Sequence, residues 1–186
     1  MGQTIYERLL KESKHYDGWL YIGDDKTRYA LGQPGANNLI VIGINPSSAT
    51  PEKDDPTIRR VRKTAEMNGF DGWIMLNIYP VRSAKPEDMP EKVDKQLSRY
   101  NIAVIRKIME DNPVAHIWSA WGDAIDSRDY YMTELQKILD VTENEQWFRK
   151  GTLTRWGNPR HPLYLPYKTE FTWFPVQDYI WSVIEL

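Results

Sequence analysis

Apolar residues along this chain follow two rhythms, and the switching between them predicts the architecture. Short, nearly continuous apolar runs occur at 39–44 (LIVIGI), 72–78 (GWIMLNI) and 114–120 (VAHIWSA), with a more mixed one at 147–153 (WFRKGTL). Runs of this length, rich in Val, Ile and aromatic residues and bounded by Gly, Asn, Pro or Ser, read as buried strands. Between them lie stretches with apolar residues three and four apart, the helical period. Residues 3–15 put Ile5, Tyr6, Leu9 and Leu10 on one face. A second helix follows Asp54-Asp55-Pro56, with Asp55 as cap, Pro56 at the first position and Gly69 at the stop. A third is expected over 91–111 and a fourth over 123–139. The tail places Val176, Tyr179, Ile180, Val183 and Ile184 at core-facing spacing after Pro175. WLYI and RYAL on either side of Gly23-Asp24-Asp25 predict a hairpin within 18–32.

Strands alternating with helices imply a parallel sheet with right-handed crossovers. The expectation is a three-layer α/β/α fold with one domain over 1–186, the helix and hairpin of 1–35 being attached to it. The runs 39–44, 73–77, 114–119 and 147–152 are expected side by side in the order 2-1-3-4. Parallel strands end on the same edge. The polar exits at Gly43–Ser48, Asn77, Gly122 and 158–162 therefore collect there, where ligands of such sheets bind.

Composition narrows the chemistry. With 41% hydrophobic and 27% charged residues and a formal net charge of −2, the chain has no general affinity for polyanions, so nucleic-acid contact needs a local patch. The chain contains no cysteine, which excludes disulfides, thiol nucleophiles and iron–sulfur ligation. No basic leader precedes an apolar stretch and no run reaches membrane-spanning length, so a cytoplasmic location is expected. Neither G-x-x-x-x-G-K-[ST] nor G-x-G-x-x-G occurs, and no cofactor is expected.

One segment is locally basic. Residues 146–168 carry Arg149, Lys150, Arg155, Arg160 and Lys168 and no acid, interleaved with Trp147, Phe148, Trp156, Tyr164 and Tyr167. Cations hold phosphates and aromatic faces stack unpaired bases, so Lys150, Arg155 and Arg160 are candidate backbone contacts to nucleic acid. The alternative is a solvated segment whose aromatics pack inward.

Four motifs, in order, resemble those of the uracil-DNA glycosylase superfamily. They are Gly43-Ile44-Asn45-Pro46, Met75-Leu76-Asn77, Trp121-Gly122-Asp123-Ala124 and His161-Pro162-Leu163-Tyr164. Asn in the first motif is similar to the mismatch-specific and thymine-DNA glycosylase branches. RYALG, INPSSAT, DDPTIRR, NIYPVRSAKPEDM, AWG and PRHPLYLP, spread over nearly the whole chain, look like the bacterial and phage family named domain of unknown function 1643.

The glycosylase resemblance implies roles. Asn45 positions the attacking water, Asn77 binds the base edge, and His161 donates to the departing base. Gly43, Pro46, Ser47, Ser48 and Gly122 shape the pocket, with backbone N–H groups around Pro46–Ser48 available to water or phosphate. Tyr79 or Tyr164 supplies a stacking ring. Asp54 is the candidate for activating water, while Asp55 caps its helix. Each residue also has a plainer duty: an Asx-turn for Asn45, a strand-end cap for Asn77, an exposed loop position for His161. His15 and His116 read as structural. The expected function is recognition and hydrolytic excision of a base from nucleic acid, DNA ahead of RNA. The rival is a non-catalytic module that binds a base or free nucleotide. A metal-assisted phosphodiesterase built on Asp54, Asp55 and His161 is a third reading.

Overall fold

The computed structural model describes residues 2–113, 115–142 and 145–184. Val114, where the third strand was expected to start, and the side chain of Ile184 lie outside what is described. The four central runs form strands β3 (Asn38–Gly43), β4 (Gly72–Asn77), β5 (His116–Ser119) and β6 (Gln146–Lys150). They lie parallel, with β3 between β4 and β5, and β6 outside β5. That is the expected order 2-1-3-4.

The sheet is wider than expected and mixed. Strands β1 (Leu20–Gly23) and β2 (Arg28–Gln33) form the expected hairpin, and β2 adds antiparallel to β4 through Leu31↔Met75. At the other side β7 (Phe171–Trp173), three residues long and without a sequence signal, pairs antiparallel with β6. Seven strands result, in the order β1-β2-β4-β3-β5-β6-β7. The antiparallel additions leave the parallel strands interior, which matches their apolar character on both faces.

Alternation sorts the side chains. Ile40 and Ile42 face a core built with α3 (Lys95–Asp111), α4 (Tyr130–Asp140) and α5 (Val176–Ile184), joined by Tyr6 and Leu9 of α1 (Ile5–Glu12). Leu39 and Val41 face α2 (Pro56–Met67), packing with Ile58, Val61 and Ala65. Asp55 accepts from the Ile58 N–H at 2.8 Å and Pro56 opens the helix, as the sequence predicts.

Three helix boundaries differ: α1 is shorter than the expected 3–15, since Thr4 caps it at one end and Ser13 at the other. The third helix begins at Lys95, not at residue 91, because Asp94 caps it and its N–H is taken by the Tyr79 hydroxyl at 2.8 Å. The fourth splits into a 3-10 turn, Gly122–Ser127, and α4, with Arg128 extended between them. The Arg128 guanidinium donates to the carbonyls of Glu87, Met89 and Pro90, and these bonds hold the break open. No helix among the described residues is long and apolar enough to cross a membrane.

Candidate functional site

Chain direction reverses across the sheet between β3 and β5, since β3 leads outward to β4 and the chain then crosses back to β5. Ligand crevices in open α/β sheets form at such a switch point. Here the loops leaving β3 and β5 and the loop before β7 enclose a cleft of about 750 Å³. Asn45, Ser47, Gly122, Arg155, His161 and Tyr164, all singled out in the sequence, contribute to its lining, as does Arg160. A larger hollow of about 920 Å³ lies among α1, α3 and α4, but its innermost polar groups satisfy one another. There Glu134 accepts from Ser98 at 2.6 Å and from Lys137 at 2.7 Å.

Asn45 is oriented by its surroundings. Its amide nitrogen donates to the carbonyls of Pro46 at 3.1 Å and Ser83 at 2.9 Å, with Val81 at 3.5 Å. Three acceptors on one side determine which way the amide points. No described donor reaches its Oδ1, which is left as an acceptor for the cleft. The Asx duty and the site position therefore coexist in one side chain.

His161 has the complementary polarity. Its Nδ1 accepts from the Leu163 N–H at 3.3 Å, which puts the proton of the neutral ring on Nε2. Burial holds its pKa below the ordinary 6.5, against a smaller upward pull from the Asp55 carboxylate. At neutral pH the ring is an uncharged N–H donor.

The loop bearing His161 is tied to the exit of β5. Gly122 has φ +66, and a Cβ there would approach His161 Cβ to 3.0 Å. Only glycine combines that left-handed backbone with so close a neighbour. The Gly122 N–H donates to the Pro159 carbonyl at 3.0 Å. Buried Asn158 completes the tie. Its Nδ2 donates to Asp123 at 3.0 Å and Asp126 at 2.8 Å, and its Oδ1 accepts from the Tyr179 hydroxyl at 2.7 Å. Asn158 was legible only as part of a polar cluster, and its partners lie on the 3-10 turn and on α5.

The cleft rim is aromatic and basic. Trp156 is 67% exposed and Tyr164 77% exposed. The Arg155 guanidinium lies 4.6 Å from the Trp156 ring centroid, and the Tyr164 ring 6.0 Å from that of His161. Arg160 is partly occupied, donating to the carbonyls of Thr152 at 2.9 Å and Leu153 at 3.2 Å.

Behind the cleft is a recess of about 50 Å³ that shares Asn45, Ser47 and His161 with it. Arg28 lines this recess and is 2% exposed. Its Nη1 donates to the Ala49 carbonyl at 2.9 Å, and its Nε has no partner. Burial, with the neighbouring Arg82, pushes its pKa down to about 10. Arg28 was not among the residues expected at the site. Its one signal was an arginine opening the otherwise apolar strand RYAL.

Several expected positions lie elsewhere. Asp54 is paired with Arg62 and does not line the cleft; Asp55, the helix cap, is the carboxylate that reaches the recess. Asn77 is fully buried at the end of β4, and neither its Oδ1 nor its Nδ2 has a partner. It sits under Gly43, where a Cβ would approach its Oδ1 to 3.1 Å, so it cannot meet a base in the cleft. Tyr79 is a core residue with its ring against Tyr130, unavailable for stacking. Pro46 is buried and Ser48 exposed, both outside the cleft lining.

Lys150 is 1% exposed, between Trp118 and Phe171, with Nζ donating to the Tyr167 carbonyl at 3.3 Å. Burial pushes its pKa down to about 8, so it is not a surface phosphate contact. Trp147 and Phe148 also pack inward, the latter stacked on His116 at 3.6 Å. The basic segment thus divides into a buried half and a cleft half. Among the described residues no three His, Asp or Glu side chains gather into a group that could hold a metal ion.

No curated protein and no solved structure matches the chain. The sequence profile of one family, described as protein of unknown function (DUF1643), matches residues 28–163, a span running from Arg28 past His161. That span holds more than half of the chain and nearly every cleft residue, and the chain belongs to the DUF1643 family.

Proposed function

We propose that the cleft binds a nucleotide unit with its base exposed and hydrolyses the N-glycosidic bond, the preferred substrate being nucleic acid, DNA ahead of RNA. One observation carries the reading. A free acceptor, Asn45 Oδ1, and a neutral donor, His161 Nε2–H, share a cleft whose mouth carries the exposed rings of Trp156 and Tyr164. The first three resemblance motifs lie at the ends of β3, β4 and β5, and the fourth brings His161 to the same cleft, which supports the same assignment.

In this reading the base stacks on the rim rings, with Arg155 and Arg160 at the phosphates. The C1′–N bond breaks and its electron pair leaves with the base. His161 donates a hydrogen bond to the base as negative charge develops on it. Water held by Asn45 Oδ1 bonds to C1′ and gives its proton toward the Asp55 carboxylate, which takes the part the sequence reading gave to Asp54. The rival reading, binding without cleavage, has its own observation: the Asp55 Oδ1 is already engaged as the cap of α2, and Asn45 is no base.

The test is incubation with oligonucleotides carrying uracil, mismatched thymine and modified bases, followed by alkaline cleavage at abasic sites. Base release is expected, and His161→Ala and Asn45→Ala should each lower its rate by about 10²–10³ without unfolding the protein. Saturable binding with no release favours the rival, and release unchanged in both variants refutes the assigned roles.

A further inference from the structure

The cleft described above does not use Arg28. A guanidinium 2% exposed, with no carboxylate within ion-pair distance among the described residues, is costly to bury. Its single bond, to the Ala49 carbonyl, is duplicated by Arg82, whose Nη2 reaches the same oxygen at 3.1 Å. The fold therefore gains little from Arg28, and its buried Nε has no partner.

Arg28 and Gly43 meet at the recess of about 50 Å³, whose remaining walls include Ser47, Thr57 and the first turn of α2. Asp55 is the one acid in its lining, and part of that charge is spent on the Ile58 N–H. Against it stand Arg28, the adjacent Arg82 and the positive end of a twelve-residue helix, so the field inside favours an anion.

We propose that this recess is a subsite for a terminal phosphate, gripped by Arg28 and continuous with the cleft that takes the rest of the ligand. The inference rests on the nucleotide reading and sharpens it. A phosphodiester inside a strand needs room for the chain on both sides. Met75, Ile58 and Gly43 close the back of the recess, so it admits only a chain end or a free nucleotide.

Inorganic phosphate is the first probe, titrated into the full chain while amide resonances of Gly43 and Ser47 are followed. Saturable shifts at both are expected, and their absence overturns the subsite whatever any variant does. Arg28→Met should weaken phosphate binding about tenfold or more, the loss of a charge-assisted bond. It should not lower the melting temperature, because Arg82 still satisfies Ala49. Equal affinity in the variant overturns the proposal. A melting temperature that collapses assigns Arg28 to folding and overturns it as well.

A second arm compares a nucleoside, its 5′-monophosphate and a dinucleotide with only an internal phosphodiester. The monophosphate should bind about tenfold or more tighter than the nucleoside in the wild type, and equally in Arg28→Met. An equal gain from the internal diester refutes the terminal assignment. Phosphate binding without any nucleoside binding removes the nucleotide reading and leaves the subsite. Base release with no phosphate contribution does the reverse.

Discussion

Asn158 is the most informative residue to remove, because it joins three elements through one buried side chain. In Asn158→Ala the bonds to Asp123 and Asp126 disappear, and the Tyr179 hydroxyl loses its acceptor. The two carboxylates are exposed and regain water, so each lost bond costs about 1 kcal/mol. The Tyr179 hydroxyl is buried, and leaving it without an acceptor costs about 1–2 kcal/mol. The sum is about 3 kcal/mol, which at a urea slope of about 2 kcal/mol/M moves the unfolding midpoint down by about 1.5 M. Asn158→Asp is the sharper variant. It sets a third carboxylate against Asp123 and Asp126, so its pKa in the folded state rises above the unfolded value of about 3.9. Such a group stabilises the fold while protonated and loses that contribution as pH rises through its folded pKa. Urea melts of both variants and the wild type between pH 4 and 8 provide the assay. A midpoint shift below about 0.3 M in the alanine variant, or an aspartate variant whose deficit does not shrink on acidification, would refute the network's role.

Gly122→Ala forces a side chain into left-handed backbone 3.0 Å from His161 Cβ, and a loss of about 1–3 kcal/mol is expected in thermal melts. Lys150→Met should stabilise the protein at pH 7 by about 1–2 kcal/mol, since removing the burial penalty outweighs the lost ring contacts and the bond to Tyr167. The gap to wild type should narrow between pH 8 and 10.5, where the unfolded lysine binds more protons than the folded one, and nucleic-acid affinity should not change. His161 and His116 both have pKa values lowered by burial. The unfolded chain therefore takes up protons first as pH falls below about 6.5, and stability drops from there until the folded histidines titrate. His161→Gln should flatten part of that acid limb in chemical denaturation series, and an unchanged limb would mean that the ring is not held neutral.

The parallel centre was legible because strands buried on both faces must be apolar throughout, as Leu39 to Ile42 are. Where the hairpin would attach was not legible, because the pairing of Leu31 with Met75 spans distant segments and either sheet edge suits the same pattern. The helix break at Arg128 was hidden for a similar reason: it depends on carbonyls of residues 87–90, far back in the chain. At the site, the convergence of strand exits brings Asn45 and His161 into one cleft as expected, while Asn77, also at a strand exit, is fully buried. The Asn77 Oδ1 lies only 3.1 Å from where a Cβ on Gly43 would stand, so the neighbouring strand end covers it. The cap at Asp55 was legible from Pro56 beside it, but not that the same carboxylate, and not Asp54, is turned toward the recess. Lys150 shows the limit of reading charge as surface. Strand alternation puts it on the same side as Phe148, and its stem is long enough to reach the Tyr167 carbonyl without leaving the core.

The Ala49 carbonyl, shared by Arg28 and Arg82, has a wider consequence. With the Asn45 amide on Ser83 and the Ser83 N–H on the Pro46 carbonyl, it anchors the turn after β3 to residues 81–83 from several directions. On the opposite side of the cleft mouth the backbone is tied through Gly122 and Asn158, yet the rings of Trp156 and Tyr164 stand largely in solvent. The inner wall's side chains are therefore fixed and the outer rings replaceable. Within this scaffold ligand preference can drift by substitution at the outer rings while the inner wall, and whatever chemistry it performs, stays constant.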